Sequence, residues 1–202
     1  MSSFARHFVV IHVAALVVYT SWAFAGTRVA WLWPIAWLTL GVIEAMVVAP
    51  ALAGDESYAD ARRRMACGVV RDPLFIVGAL LTLFLAFQGF NGPRALSFVA
   101  EREMWQFGDP PLRGLPSGVA ILESVQLLAW FPPAIVAALA VRHALDAAGR
   151  RLMLRVLVWN AAALSLLGCL HVAGGWKQIY GVIPIDAQFF ASFGYPNHAG
   201  AL

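Results

Sequence analysis

The sequence predicts an all-α, polytopic membrane helix bundle. Of its 202 residues, 61% are hydrophobic and only 12% are charged, whereas an average soluble domain has roughly 25% charged residues. Several apolar runs approach or exceed the roughly 18 residues that are needed to cross a hydrocarbon core. The basic residues lie between these runs and form no stripe with aromatics, so nucleic acid is not a predicted partner. We expect a single transmembrane domain surrounded by membrane lipids.

About five transmembrane helices and the start of a sixth are expected. Their approximate bounds are 8–25, 29–53, 73–90, 119–141 and 152–172. The first run follows basic residues, as in a signal peptide. It is long for the apolar part of such a peptide and no soluble domain follows it, so an uncleaved span is the favoured interpretation.

Short sequence signals mark the links and the helix boundaries. Asp72 and Pro73 are typical of an N-cap and a first helical position, and they predict where the third span begins. The arginine-rich segment Ala59–Val70 predicts a short amphipathic helix on the membrane surface. Pro132 and Pro133 donate no helical N–H bond, so the fourth span should kink there.

The distribution of positive charge predicts a cytoplasmic N-terminus. With that orientation, nine basic residues lie inside and five lie outside, which satisfies the positive-inside rule. The inner residues are Arg6, Arg62, Arg63, Arg64, Arg71, Arg142, Arg150, Arg151 and Arg155, and the outer ones are Arg28, Arg94, Arg102, Arg113 and Lys177. The long links 91–118 and 173–197 then share the outer side. Cys67 and Cys169 fall on opposite sides, so no disulfide is expected.

Glu44 is the most unusual residue within a predicted span. It lies about 15 Å from the inner end of the second span at the helical rise. A carboxylate at that depth is costly unless it is protonated or paired. Asn160 and Ser165 of the fifth span are its predicted partners. A protonated Glu44 in an interhelical hydrogen bond and a proton relay both remain open interpretations.

Two histidines lie in predicted spans but do not predict a cofactor. His12 is near the inner end of the first span and His171 is near the outer end of the fifth. Most of the membrane thickness would separate them, so they are not expected to bind one iron together. The sequence contains no haem-attachment, Walker or nucleophile-elbow motif. We therefore expect neither a metal nor a cofactor.

The final stretch, 190–202, reads Phe-Ala-Ser-Phe-Gly-Tyr-Pro-Asn-His-Ala-Gly-Ala-Leu. It resembles the motif that opens the core region of the O-antigen ligase and polymerase-like family. In that family an Asn-Pro-Asn-His or similar turn follows a Thr-Phe-Gly-type run and leads into a transmembrane helix. Tyr195 stands where the family often has Asn. The resemblance implies a bacterial inner-membrane, multi-pass protein that transfers or polymerises glycans carried on undecaprenyl diphosphate, at the periplasmic face and without a metal.

The resemblance also suggests which residues bind substrate. Asn197 is a good N-cap, and the free N–H groups of the following turn suit an anion such as a lipid diphosphate. His198 is placed to donate to a phosphate oxygen. The predicted outer basic residues that would hold phosphate are Arg94, Arg102, Arg113 and Lys177. Ordinary solvated loop charge is the simpler interpretation of those four.

The resemblance covers about half of a typical family member. The best-supported catalytic groups of that family lie in a large periplasmic loop of its later half, with no counterpart in these 202 residues. We therefore expect an N-terminal half that lacks the catalytic residues. The alternative is a non-catalytic transmembrane subunit that packs against other subunits of a larger membrane complex.

Overall fold

A computed structural model describes residues 3–23, 32–52, 58–92, 96–99, 104–118, 121–179 and 183–184. Its helices are α1 (Ser3–Trp22), α2 (Leu32–Val48), α3 (Tyr58–Val70), α4 (Pro73–Phe90), α5 (Ile121–His143) and α6 (Ala147–Gly174). Two short antiparallel strand pairs accompany them, β1 (Leu96–Val99) with β2 (Met104–Phe107) and β3 (Gln178–Ile179) with β4 (Ile183–Pro184). The described part is therefore helical apart from two small hairpins that the sequence did not predict.

Three of the helices, α1, α4 and α6, are long and apolar enough to cross a membrane. The α2 helix is equally apolar but has only 17 residues. Most of the large apolar side chains on α4 and α6 are exposed, as expected where lipid rather than water surrounds a bundle. These three helices confirm the coarser prediction, which is a helical protein that fits a membrane.

The predicted helix boundaries around the α3–α4 link are confirmed. The α3 helix covers the predicted amphipathic segment, with one additional residue at its start. Asp72 caps α4, since its side chain accepts a hydrogen bond from the Leu74 N–H at 2.9 Å, and Pro73 occupies the first helical position. The α5 helix continues through Pro132 and Pro133.

The α6 helix begins at Ala147, five residues before the predicted start of the fifth span at residue 152. Asp146 is its N-cap and accepts a hydrogen bond from the Gly149 N–H at 2.8 Å. Gly175 ends the helix in the left-handed conformation, with φ of 59°, which glycine adopts without a Cβ penalty. Twenty-eight residues give α6 a length of about 42 Å, which exceeds the roughly 30 Å thickness of a hydrocarbon core.

The core lies where α1, α2 and α5 meet. Val9 and Val13 of α1 pack there with Ile35 and Val42 of α2, and all four are fully buried. The α4 helix packs along α5, and α6 packs against α1. Among the described glycines, the tightest approach between two helices is at Gly78 of α4, where an added Cβ would lie 2.6 Å from Cδ1 of Ile135 of α5.

The topology gives the bundle two chemically different ends. The starts of α1, α4 and α6 and the end of α5 lie together, joined by ion pairs. We call this the basic end. The end of α4, the segment 108–118 and the end of α6 lie at the opposite end.

Candidate functional site

Glu44 is exposed on α2, so its predicted pairing with Asn160 or Ser165 is wrong. Among the described residues, no hydrogen bond or ion pair involves its carboxylate. The predicted depth also changes, because α2 ends at Val48 rather than near Ala53. Glu44 therefore lies about 6 Å along the axis from the end of the helix.

Glu44 shares its face of α2 with three large apolar side chains. Trp33, Trp37 and Leu40 precede it at intervals of four, three and four residues, so the four side chains follow one side of the helix. The apolar three are 73%, 69% and 49% exposed. We call these four residues the Glu44 stripe. It is the one place on the described bundle where a carboxylate lies along an exposed row of bulky apolar side chains.

Asn160 has different partners from those predicted. The indole N–H of Trp22 donates to its Oδ1 at 2.8 Å, and its Nδ2 donates to Ser21 Oγ at 2.9 Å. Both partners lie near the end of α1. Asn160 reaches them because α6 packs against α1. Asn160 is buried, and these bonds satisfy both ends of its amide. Its role is to hold α6 on α1, and Ser165 on the same helix is exposed.

At the basic end, Asp146 joins α6 to the start of α1. The Arg6 guanidinium donates to it through Nε at 3.0 Å and through a terminal nitrogen at 2.8 Å. This two-point contact is the strong form of an arginine–carboxylate pair. Arg6 and then the Gly149 N–H hold the pKa of the Asp146 carboxyl below its usual value.

Asp72 forms a second ionic junction at the same end. Its buried Oδ2 lies 2.7 Å from Nε2 of His143 and 3.0 Å from Nε of Arg142, both at the end of α5. The Leu74 N–H and then the His143 ring hold the pKa of the Asp72 carboxyl below its usual value. Gly68 of α3 packs against the other side of that ring, so three helices meet at one imidazole.

Sequence reasoning identified Asp72 only as a helix cap and did not identify Asp146. One signal was available. The chain has only 11 acidic residues, and Asp72 and Asp146 lie in the links whose arginines the positive-inside rule places at the same membrane surface as Arg6. Which cation pairs with which carboxylate depends on helix packing.

Neutral groups hold the opposite end together. Buried Asn91 donates through Nδ2 to the carbonyl oxygens of Leu112, Leu115 and Pro116 at 3.0 to 3.2 Å. The Leu112 N–H donates back to its Oδ1 at 2.8 Å. This arrangement, the Asn91 clamp, fixes the segment before α5 against the end of α4.

The predicted substrate-binding residues are only partly described. Arg113 is highly exposed at the opposite end and pairs with Asp109. Lys177 is exposed just after α6. Arg94, Arg102, Asn197 and His198 lie outside the described residues, so the predicted set as a whole stays a prediction.

The two histidines considered as cofactor ligands also have local contacts. Nδ1 of His12 lies 2.8 Å from the Phe8 carbonyl oxygen, and its ring contacts Gly41 of α2. His171 is buried, and its ring centroid is 4.8 Å from that of Trp176. Within the described ranges, no group of three His, Cys, Asp or Glu side chains is arranged to hold a metal ion.

Comparisons with protein-family models, with curated proteins and with solved structures found no match to this chain.

Proposed function

We propose that the chain forms a membrane-embedded helical unit that packs laterally against another transmembrane helix along the Glu44 stripe. The single observation that carries this proposal is the exposed carboxylate of Glu44 on an apolar helix. A carboxylate facing lipid is costly, and the cost falls when a neighbouring helix supplies a hydrogen-bond donor. The partner helix should therefore carry a basic or amide side chain at the depth of Glu44.

A photo-crosslinking amino acid at Leu40 tests this proposal in native membranes. Leu40 lies within the stripe, and Val158 is a matched control because it is an exposed apolar residue of α6. We expect a discrete protein adduct from Leu40 and lipid adducts from Val158. The protein adduct should persist in Glu44→Gln, which keeps hydrogen bonding, and disappear in Glu44→Leu.

The mass of the adduct then identifies the partner. An adduct of twice the chain mass indicates a second copy, and any other discrete mass indicates a different helix, whose basic or amide residue can be mapped. Lipid adducts alone at Leu40 would contradict the proposal. A protein adduct that is unchanged in Glu44→Leu would contradict the role of the carboxylate.

The topology proposed with this function has five spans, a cytoplasmic N-terminus and a bacterial inner membrane as its location. In this arrangement α2 and α5 cross the bilayer together with α1, α4 and α6. The charge distribution supports it. The basic end gathers Arg6, Arg142 and the α3 arginines, whereas Arg113 and Lys177 are the only basic residues described at the opposite end.

A second proposal is glycan transfer or polymerisation from undecaprenyl-diphosphate-linked donors. The specific observation that favours it is the resemblance of 190–202, with Asn197 and His198, to the O-antigen ligase motif. In the reaction, an acceptor hydroxyl oxygen bonds to the sugar carbon while that carbon's bond to the diphosphate oxygen breaks. Undecaprenyl diphosphate leaves with the bonding electrons, and the hydroxyl proton passes to water. Exposed Lys177 and Arg113 would attract the anionic donor to the opposite end of the bundle.

Mass spectrometry of lipids bound to the protein, purified from a glycan-producing bacterium, tests this second proposal. We expect polyprenyl-diphosphate-linked glycan in the wild-type preparation and a several-fold loss in His198→Ala. His7→Ala is the control, because His7 is exposed near the start of α1 at the basic end. A wild-type preparation without lipid-linked glycan, or equal loss in both variants, would contradict it. A native reading frame that continues past Leu202 into further spans and a large loop rich in Arg and His would support it.

A further inference from the structure

An apolar groove lies between four helices, in the half of the bundle nearest the basic end. It has a volume of about 710 Å³ and lies between α2, α3, α4 and α5. On α4 its lining runs from Phe75 to Leu83, and on α5 from Pro132 to Leu139. The lining positions on each helix recur at three- and four-residue intervals, so every helix contributes one continuous face. The volume is within the roughly 300–1,000 Å³ typical of small-molecule sites.

The walls offer almost no hydrogen bonding to an occupant. The Thr82 hydroxyl is already used, since it donates to the Gly78 carbonyl at 2.7 Å. Every other lining side chain except Arg62 is a hydrocarbon or a thioether. An occupant of this part of the groove must therefore be apolar along its length.

Arg62 is the only charged residue that lines the groove. Within the described ranges, no hydrogen bond or ion pair holds its guanidinium. Arg6 and Arg142 at the same end are both bound to aspartates. Arg62 is therefore a cation beside an apolar groove, and none of the described residues supplies an anion that pairs with it.

The position of α3 places that cation at the edge of the groove. At its start, the Tyr58 hydroxyl oxygen lies 3.4 Å from the Val47 carbonyl oxygen of α2. Near its end, a Cβ at Gly68 would lie 3.3 Å from Nδ1 of His143 of α5. Contacts with two different helices therefore hold α3 beside the groove, with Arg62 between them.

We propose that this groove binds an acyl chain of an anionic glycerophospholipid whose phosphate pairs with Arg62. The apolar walls and the single guanidinium match the two parts of such a molecule, and charge complementarity selects an anionic headgroup. Free phosphate would pair with the guanidinium but leave the apolar walls without an occupant. An apolar peptide would fill the walls but leave the guanidinium without an anion. This site lies at the basic end and is independent of the Glu44 stripe and of residues 190–202.

Native mass spectrometry of the full chain from nanodiscs tests the site. One set of discs contains phosphatidylcholine alone and the other contains phosphatidylcholine mixed with phosphatidylglycerol. We expect one phosphatidylglycerol to remain bound after mild delipidation. Arg62→Gln should lower its retention about tenfold, as for the loss of a charged hydrogen bond. Arg150→Gln, at an exposed arginine on α6 of the same end, should retain it.

A second pair of variants tests the apolar part of the site. Ala66 lines the groove on α3, whereas Ala59 is exposed on the same helix and does not line it. Ala66→Phe should fill the groove and displace the lipid, while Ala59→Phe should leave it bound. Equal retention of the two phospholipids, or equal effects of the arginine variants, would overturn the proposal. So would displacement of the retained lipid by inorganic phosphate alone, because that would assign the site to free phosphate.

Discussion

The two ends of the bundle are held together by different chemistry. At the basic end, Asp72 and Asp146 each cap one helix and bind a cation from another, which joins helices far apart in sequence. At the opposite end, the Asn91 clamp uses only neutral amide and carbonyl groups. The difference means that low pH should weaken the ionic junctions at the basic end and leave the Asn91 clamp unchanged.

The largest effect is expected at the clamp. Asn91→Ala removes four hydrogen bonds between the Asn91 amide and the backbone of residues 112–116, each of which contributes about 1 kcal/mol. We expect a loss of about 3 kcal/mol in the free energy of unfolding in detergent. The loss should be the same at pH 4 and pH 7, because no titratable group takes part. A loss that varies with pH would contradict the neutral character of the clamp.

Asp72 should give the next largest effect, and this one should depend on pH. Its pKa is lowered in the folded state, so the folded protein binds fewer protons there than the unfolded chain. The resulting stability is present above the ordinary aspartate pKa of about 3.9 and is lost as pH falls through the lower folded value. Asp72→Asn should lower the melting temperature at pH 7 and narrow its gap to wild type below pH 4. A constant gap across that range would contradict the ionic role.

The smallest effect is expected at the Arg6–Asp146 pair, because both side chains are partly exposed and screened. A double-mutant cycle with Arg6→Gln and Asp146→Asn should give a coupling energy of about 1 kcal/mol. The Arg113–Asp109 pair is the matched control, as it joins the same residue types but is 82% and 72% exposed. Its coupling should be close to zero. Equal coupling energies in the two pairs would contradict a stabilising role for the Arg6–Asp146 pair in joining α1 to α6.

Local sequence signals predicted the parts of this fold that local physics determines. Asp72 and Pro73 marked the start of α4, and the segment Ala59–Val70 marked α3. The end of α2 was misplaced because the sequence stays largely apolar through Ala49–Leu52, so hydropathy did not reveal the turn there. The predicted depth of Glu44 changed with that boundary.

The pairings between helices were not predictable in the same way. Arg6 and Asp146 are 140 residues apart, and nothing in their local sequence connects them. Asn160 was assigned to Glu44 because both are polar residues in apolar spans. It bonds instead to Ser21 and Trp22, because α6 packs against α1. The residues 190–202, on which the family resemblance rests, lie outside the described part of the chain.

The proposed topology places the two ends of the bundle on opposite sides of a membrane, with the basic end in the cytoplasm. Cys67 is exposed on α3 at the basic end, and Arg113 is exposed at the opposite end. Labelling of spheroplasts with a membrane-impermeant maleimide tests this topology directly in a Cys169→Ser background. We predict that Cys67 reacts only after permeabilisation, whereas Arg113→Cys, combined with Cys67→Ser, reacts in intact spheroplasts. Labelling of Cys67 in intact spheroplasts would contradict this topology.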